Sequence, residues 1–309
     1  MSGSSEKELE TALTLLEEAK PEEAKKILAG IYEFNLDNQE IEFAIWCCNY
    51  WADFFRHFSD MEPEELGERL LFKWKEFSTS LSQKKEVFKR AVFSVQTGVF
   101  TQALHCFSKS DEFQQSAQKS EILLKKGICH KKLGQYKQAL TCLDEANRIS
   151  QGQAEILAEM ADCYALCGME KQAKVLFRES FFIDAKKINL AFLDSQLIKC
   201  LIGKTEEKGF SGEELQYWIP VYGVLYGVLN VTRKLRSQEA GKLRQEIFET
   251  EVEIKNPASN AKILKPKLLF MYFRLMDYYV QKGGMENEIS ELLLHIKILD
   301  SDIYKIYAK

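Results

Sequence analysis

The chain has 309 residues, 46% of them hydrophobic and 28% charged, with a formal net charge of −4. This is longer than one ordinary domain, which a stack of repeats accommodates without a single central core, and the slightly acidic balance lacks the basic excess of a nucleic-acid binder. The most apolar run, residues 218–231, contains Pro220, Gly223 and Gly227 and falls short of the roughly 20 residues a bilayer span takes, so it reads as a buried helix and no membrane insertion is expected.

In chain order, apolar spacing predicts helices at 5–19, 21–34, 38–58 and 62–81. Pro21 and Pro63 fit the first turn of a helix, where a missing amide proton costs nothing, and Asp60 precedes Pro63 as a cap. Residues 1–83 therefore read as degenerate helical hairpins, with Trp46 and Trp51 where a strict repeat would place small residues. The charged stretch 1–20 has no apolar core of signal-peptide length, which sets the expectation of a cytoplasmic chain.

From residue 120 the sequence repeats itself in register, 34 positions later. Gly127, Cys129, His130, Gly134, Ala139, Leu143 and Ala146 are answered by Ala161, Cys163, Tyr164, Gly168, Ala173, Phe177 and Ser180. Each copy reads as an amphipathic helix, a glycine that closes its C-terminus in the left-handed conformation, and a second amphipathic helix. Gly127 and Ala139 suit the place where two antiparallel helices cross most closely. An earlier copy, out of period by two residues, holds Ala91, Gly98, Phe100, Ala103, Phe107 and Ser110 within about 84–117. A period of this size implies stacked units that cannot bury their apolar faces alone.

These residues resemble the tetratricopeptide repeat. In 120–153 the signature positions hold Leu123, Gly127, His130, Gly134, Tyr136, Ala139, Leu143 and Ala146, and in 154–187 they hold Leu157, Ala161, Tyr164, Gly168, Ala173, Phe177 and Ser180. The helix-ending proline of the family is replaced by Gln151 and Ala185. The resemblance implies an all-α fold, an α-α superhelix of stacked helical hairpins. Its repeats would span 84–203, at about 84–117, 120–153 and 154–187 with part of a fourth from 188, and a non-repeat helical region 204–309 would be packed on the solenoid. That region reads as helices at 212–236, 237–255, 267–282 and 285–299, with a Pro- and Asn-containing loop at 256–265. It is either a cap over the last repeat or a docking element, since Trp218, Tyr222 and Tyr226 share a helical face.

The resemblance also implies a concave groove lined by the first helix of each unit. Its positions carry over to Lys85, Phe88, Val92 and Gln96, then Glu121, Leu124, Ile128, Lys131 and Lys132, then Glu155, Asp162 and Leu166, with Phe192 and Gln196 from the fourth unit. The expected role is a non-enzymatic scaffold or adaptor that binds a peptide or protein segment there, with Lys132 exposed and Phe88 and Ile128 partly accessible. The alternative is a nucleic-acid-associated regulator using a lysine-rich face, since Lys84, Lys85, Lys89 and Arg90 precede Lys125, Lys126, Lys131 and Lys132.

Chemistry has little to work with. No glycine-rich phosphate loop, Gly-x-Ser-x-Gly or His-Glu-x-x-His occurs, and His57, His105, His130 and His295 include no ligand-spaced pair. The eight cysteines contain no Cys-x-x-Cys, and Cys129 and Cys163 share a repeat position, as buried apolar fillers would. No catalytic residue, cofactor or metal is expected. Cys129 and His130 are no nucleophile and base, because adjacent helical side chains diverge by about 100°.

Overall fold

In the computed structural model the described residues are 3–34, 38–56, 61–109 and 116–308. They are helical, with 81% of the described residues in helix and no strand among them. Helices that are neighbours in sequence pack as pairs. The chain divides into two compact units, Met1–Ser150 and Gln151–Lys309, so the division falls inside the in-register stretch rather than at the ends of the expected repeat segment.

The first unit holds α1 (Gly3–Glu17), α2 (Pro21–Phe34), α3 (Gln39–Arg56), α4 (Pro63–Ser82), α5 (Lys89–Lys109), α6 (Ser116–Lys132) and α7 (Tyr136–Ile149). Pro21 and Pro63 each open a helix, as their missing donor favours. Asp60 and Ser110 lie outside the described residues; Glu62 stands at the start of α4 and makes no side-chain capping bond.

The α6–α7 turn shows why the repeat needs its glycine. Gly134 has φ 73°, and the Gln135 amide reaches back to the His130 carbonyl at 2.8 Å while the Gly134 amide donates to Lys131 at 2.9 Å. That double bond pattern satisfies carbonyls that a helix end otherwise leaves open. The α1–α2 turn uses the same device without a glycine: Ala19 has φ 59°, and the Lys20 amide donates to Leu15 at 2.8 Å. An L-residue held there costs about 1–2 kcal/mol.

The expected early repeat at 84–117 is not a hairpin. α5 runs unbroken from Lys89 to Lys109 through Gly98 and packs against α1, α3, α4 and α6. Gly98 serves a close approach instead of a turn, since a Cβ there would lie 2.2 Å from the Leu16 carbonyl oxygen at the end of α1. Gly127 does mark a helix crossing: a Cβ would meet the Leu143 side chain at 2.6 Å and the Ala139 carbonyl at 3.4 Å.

The second unit holds α8 (Ala154–Leu166), α9 (Glu170–Asp184), α10 (Gln196–Glu206), α11 (Gly212–Leu225), α12 (Ser237–Glu253), α13 (Ala261–Lys282), α14 (Glu286–Leu299) and α15 (Ser301–Tyr307). The α8–α9 turn repeats the glycine device, with Gly168 at φ 76° and the Met169 amide donating to Tyr164 at 2.8 Å. The fourth repeat departs from expectation. Two short 3-10 turns, Ala185–Lys187 and Leu190–Phe192, precede a helix that begins only at Gln196.

The expected helix over 212–236 stops at Leu225, because the chain reverses at Gly227 (φ 68°) and the Leu229 amide donates back to the Gly223 carbonyl at 2.8 Å. The side chain of Leu229 fills the space that a Cβ on Gly223 would take, at 2.6 Å. Phe177 of α9, Ile219 of α11, Leu269 and Phe273 of α13 and Ile296 of α14 share one core. The C-terminal helices thus complete the core of the α8–α9 hairpin, which fits the capping role expected of a terminal region.

Candidate functional site

The opening that stands out in the first unit lies beside α3. Phe43, Trp46 and Tyr50 recur along α3 at three and four residues, so they form one stripe. Phe77 of α4 is fully buried and lies near-parallel to the Trp46 indole, with ring centroids 5.5 Å apart and an 18° angle. The stripe is covered by residues 83–88, the non-helical connector between α4 and α5. Phe88 of this connector packs against Phe43 at 5.7 Å.

An open cavity of about 530 Å³ remains between α3 and the connector. Its apolar part is Phe43, Trp46 and Phe88, and its polar rim includes Glu42, Glu86, Lys84 and Lys85. The Lys84 ammonium stands 4.2 Å from the Trp46 ring centroid, and that of Lys73 stands 4.6 Å from the Tyr50 ring. Both are cation–π contacts on the α3 stripe.

The structure brings together only part of the expected groove. Lys85 (exposed) and Phe88 (half-buried) line this cavity, and Val92, half-buried, follows one turn into α5. Gln96 turns to structural use, donating to the Lys132 carbonyl at 2.6 Å and tying α5 to the end of α6. Ile128 is buried, and Lys131 and Lys132, expected on an open face, are 2% and 5% exposed. The open-face assignment of Lys132 is thereby corrected, because the packing of α5 on α6 covers it. Leu124 is half-buried and Glu121 is exposed, bonded to Lys125 at 2.7 Å.

In the second unit the corrections are larger. Asp162 is fully buried and accepts from the backbone amides of Asp194 at 2.7 Å and Ser195 at 2.8 Å, which fastens the start of α10. Phe192 is buried because its 3-10 turn folds inward. Leu166 is half-buried, Glu155 is exposed, and Gln196 is exposed with its amide donating to Cys200 Sγ at 3.0 Å. The aromatic row of α11 is mostly core: Trp218 and Tyr222 are buried, Phe210 stacks on Trp218 at 4.6 Å, and Tyr226 alone of the three is exposed.

The lysine-rich face is partly engaged within the unit, while Lys84, Lys85 and Lys89 stay exposed. Lys125 pairs with Glu68 and Glu121, and Arg90 pairs with Glu6 at 2.9 Å and Glu40 at 3.9 Å. Cys47, Cys48, Cys106, Cys129 and Cys163 are buried, whereas Cys167 and Cys200 are exposed. Burial pushes the Cys129 thiol far up and that of Cys48 up to about 12, so these groups are packed as neutral thiols. The His130 ring is bonded to Gln135 at 2.7 Å rather than to its neighbour Cys129. Among the described residues no cluster of His, Cys, Asp and Glu could hold a metal ion, and no helix is long and apolar enough to cross a membrane.

Of the cavity residues, Lys84 is foreseen only as part of the lysine-rich face, and Phe43, Trp46, Glu42 and Glu86 are not foreseen as site residues. The spacing of Phe43, Trp46 and Tyr50 was a usable signal, but a covered stripe would show the same spacing. No family model matches the chain, and no curated protein matches it significantly.

Proposed function

We propose that this chain is a tetratricopeptide-like interaction protein, and that its first unit holds a segment of a protein partner in the groove between α3 and the 83–88 connector. The observation that carries the reading is an open cavity of about 530 Å³ whose apolar part is three aromatic rings and whose rim bears charges of both signs. Aromatic anchors inside a polar rim are the composition of protein-recognition surfaces. The in-register hairpins with their glycine turns favour the same class, since such scaffolds chiefly present surfaces to partners. Nucleic acid is disfavoured as partner because Lys125 and Arg90 are paired with carboxylates and Lys131 and Lys132 are buried.

The test is selection from a displayed peptide library against the full chain, with recovered peptides re-measured on Phe88→Ala and Glu42→Ala. The reading expects peptides whose affinity drops on both variants while the melting temperature changes little. Peptides that bind both variants as tightly as the parent chain would place recognition elsewhere.

A further inference from the structure

We infer that the face of Trp46 is a binding site for a basic side chain, held in the free protein by the chain's own Lys84 and yielded to an arginine or lysine of the partner segment. This rests on the groove reading above and adds the chemistry of the anchor.

The chain itself displays the cation that the site accepts. Phe77 is fully buried and supports the Trp46 indole, while Lys84 is exposed, so its ammonium covers the ring from the solvent side. Tryptophan is the best cation–π acceptor among side chains. Lys84 makes no ion pair among the described residues, although Glu42 and Glu86 line the same cavity. Those two carboxylates are themselves without an ion pair among the described residues. The ammonium is thus held by the ring and a flexible stem, on a non-helical connector, and an exposed contact of this kind is easily exchanged.

Exchange preserves the charge balance of the groove. With Lys84 swung into water, Glu42 and Glu86 face the site against Lys85 alone, which favours an incoming cation over an anion. Arginine fits better than lysine, because a planar guanidinium can stack on the indole and still donate to carboxylates at its edge. An acidic segment drawn to Lys84 and Lys85 would leave the indole face empty and both carboxylates opposed.

The test uses the full chain and three acetylated, amidated peptides, Gly-Leu-X-Leu-Gly, with arginine, citrulline or glutamate at X. Trp46 is half-buried whereas Trp51, Trp74 and Trp218 are buried, so the change in tryptophan fluorescence on adding peptide reports chiefly on the site. The arginine peptide should bind about three- to tenfold more tightly than its uncharged citrulline isostere, the range of one cation–π contact. Lys84→Met, which keeps the stem and removes the charge, should tighten the arginine peptide and leave citrulline unchanged. Glu42→Gln with Glu86→Gln should weaken arginine alone. Equal binding of arginine and citrulline, insensitive to Lys84→Met, would overturn the cation site and leave the groove reading standing. Preference for the glutamate peptide, or silence of all three on Lys84→Met, would also overturn it. If library-selected peptides bind as well to Phe88→Ala, the groove reading itself falls.

Discussion

Two helices of this chain carry an aromatic row, and they end in opposite states. In α11, Trp218 and Tyr222 are shut in by Phe210, which stacks on Trp218 at 4.6 Å, and by the core shared with α13. In α3, Phe43, Trp46 and Tyr50 are backed by Phe77, but what covers them is an irregular connector bearing Phe88, Lys84 and Lys85. Each row meets an aromatic from a non-helical connector, Phe210 or Phe88, but the α11 row also shares a core with α13, whereas the α3 row faces a segment whose charged side chains leave a cavity. The spacing of the aromatics is similar in the two rows, so the covering element decides whether a row is core or surface.

The largest effect that would break this comparison is in stability. Trp218→Ala should destabilise the second unit by about 3–5 kcal/mol, the range for emptying a buried aromatic site. Phe88→Ala should cost the first unit only about 1 kcal/mol, because a half-exposed ring gains about half the burial energy. Urea unfolding followed by circular dichroism measures both, and a reversed order would mean that the α3 row is the core one.

A somewhat smaller loss sharpens the contrast at the expected groove residues. Asp162→Ala strands two backbone amides and should cost about 3 kcal/mol, whereas Glu155→Ala on the same helix should change stability by no more than about 0.5 kcal/mol. Equal small effects in the same unfolding assay would return Asp162 to a surface role. In the first unit, Ala19→Gly should raise stability by about 0.5–1 kcal/mol, because relief of the left-handed strain exceeds the entropy glycine adds to the unfolded chain. A loss in the same assay would show that the α1–α2 turn is unlike those at Gly134 and Gly168.

The smallest effect is a pH dependence in the second unit. The Arg233 guanidinium, then the Arg236 amide at 2.7 Å, hold the Glu239 carboxyl down from 4.5 to about 2. A lowered carboxyl pKa in the folded state gives stability that is present above pH 4.5 and lost as pH falls towards 2. Glu239→Gln should therefore flatten the fall in thermal stability over that window; an unchanged slope would assign the acid sensitivity to other carboxylates.

Much of the fold was legible in local pattern. The bounds of α2, the proline starts and the α6–α7 and α8–α9 turns all follow from helical periodicity and from glycine at a left-handed position. Where reading failed, one residue type had two uses. Gly98 stands at the repeat's turn position, but it admits the carbonyl of Leu16 into a helix crossing; Ala19 makes a turn that only its backbone reveals. Lys85 and Phe88 do border the cavity beside α3, but from a non-helical connector and not from the first helix of a repeat, so the repeat position does not account for their place. Trp46 becomes a site residue only through Phe77 and Lys84, which lie 31 and 38 positions further along the chain and meet it through tertiary packing.

The most direct measurement of the central claim is a nitrogen-15 correlation spectrum of the indole N–H groups, recorded as a library-selected peptide is added. Four signals are expected, from Trp46, Trp51, Trp74 and Trp218, each assigned by single Trp→Phe substitution. The account predicts that the Trp46 signal shifts in a saturable way while that of Trp218 stays in place. Movement of the Trp218 signal with Trp46 unmoved would contradict it.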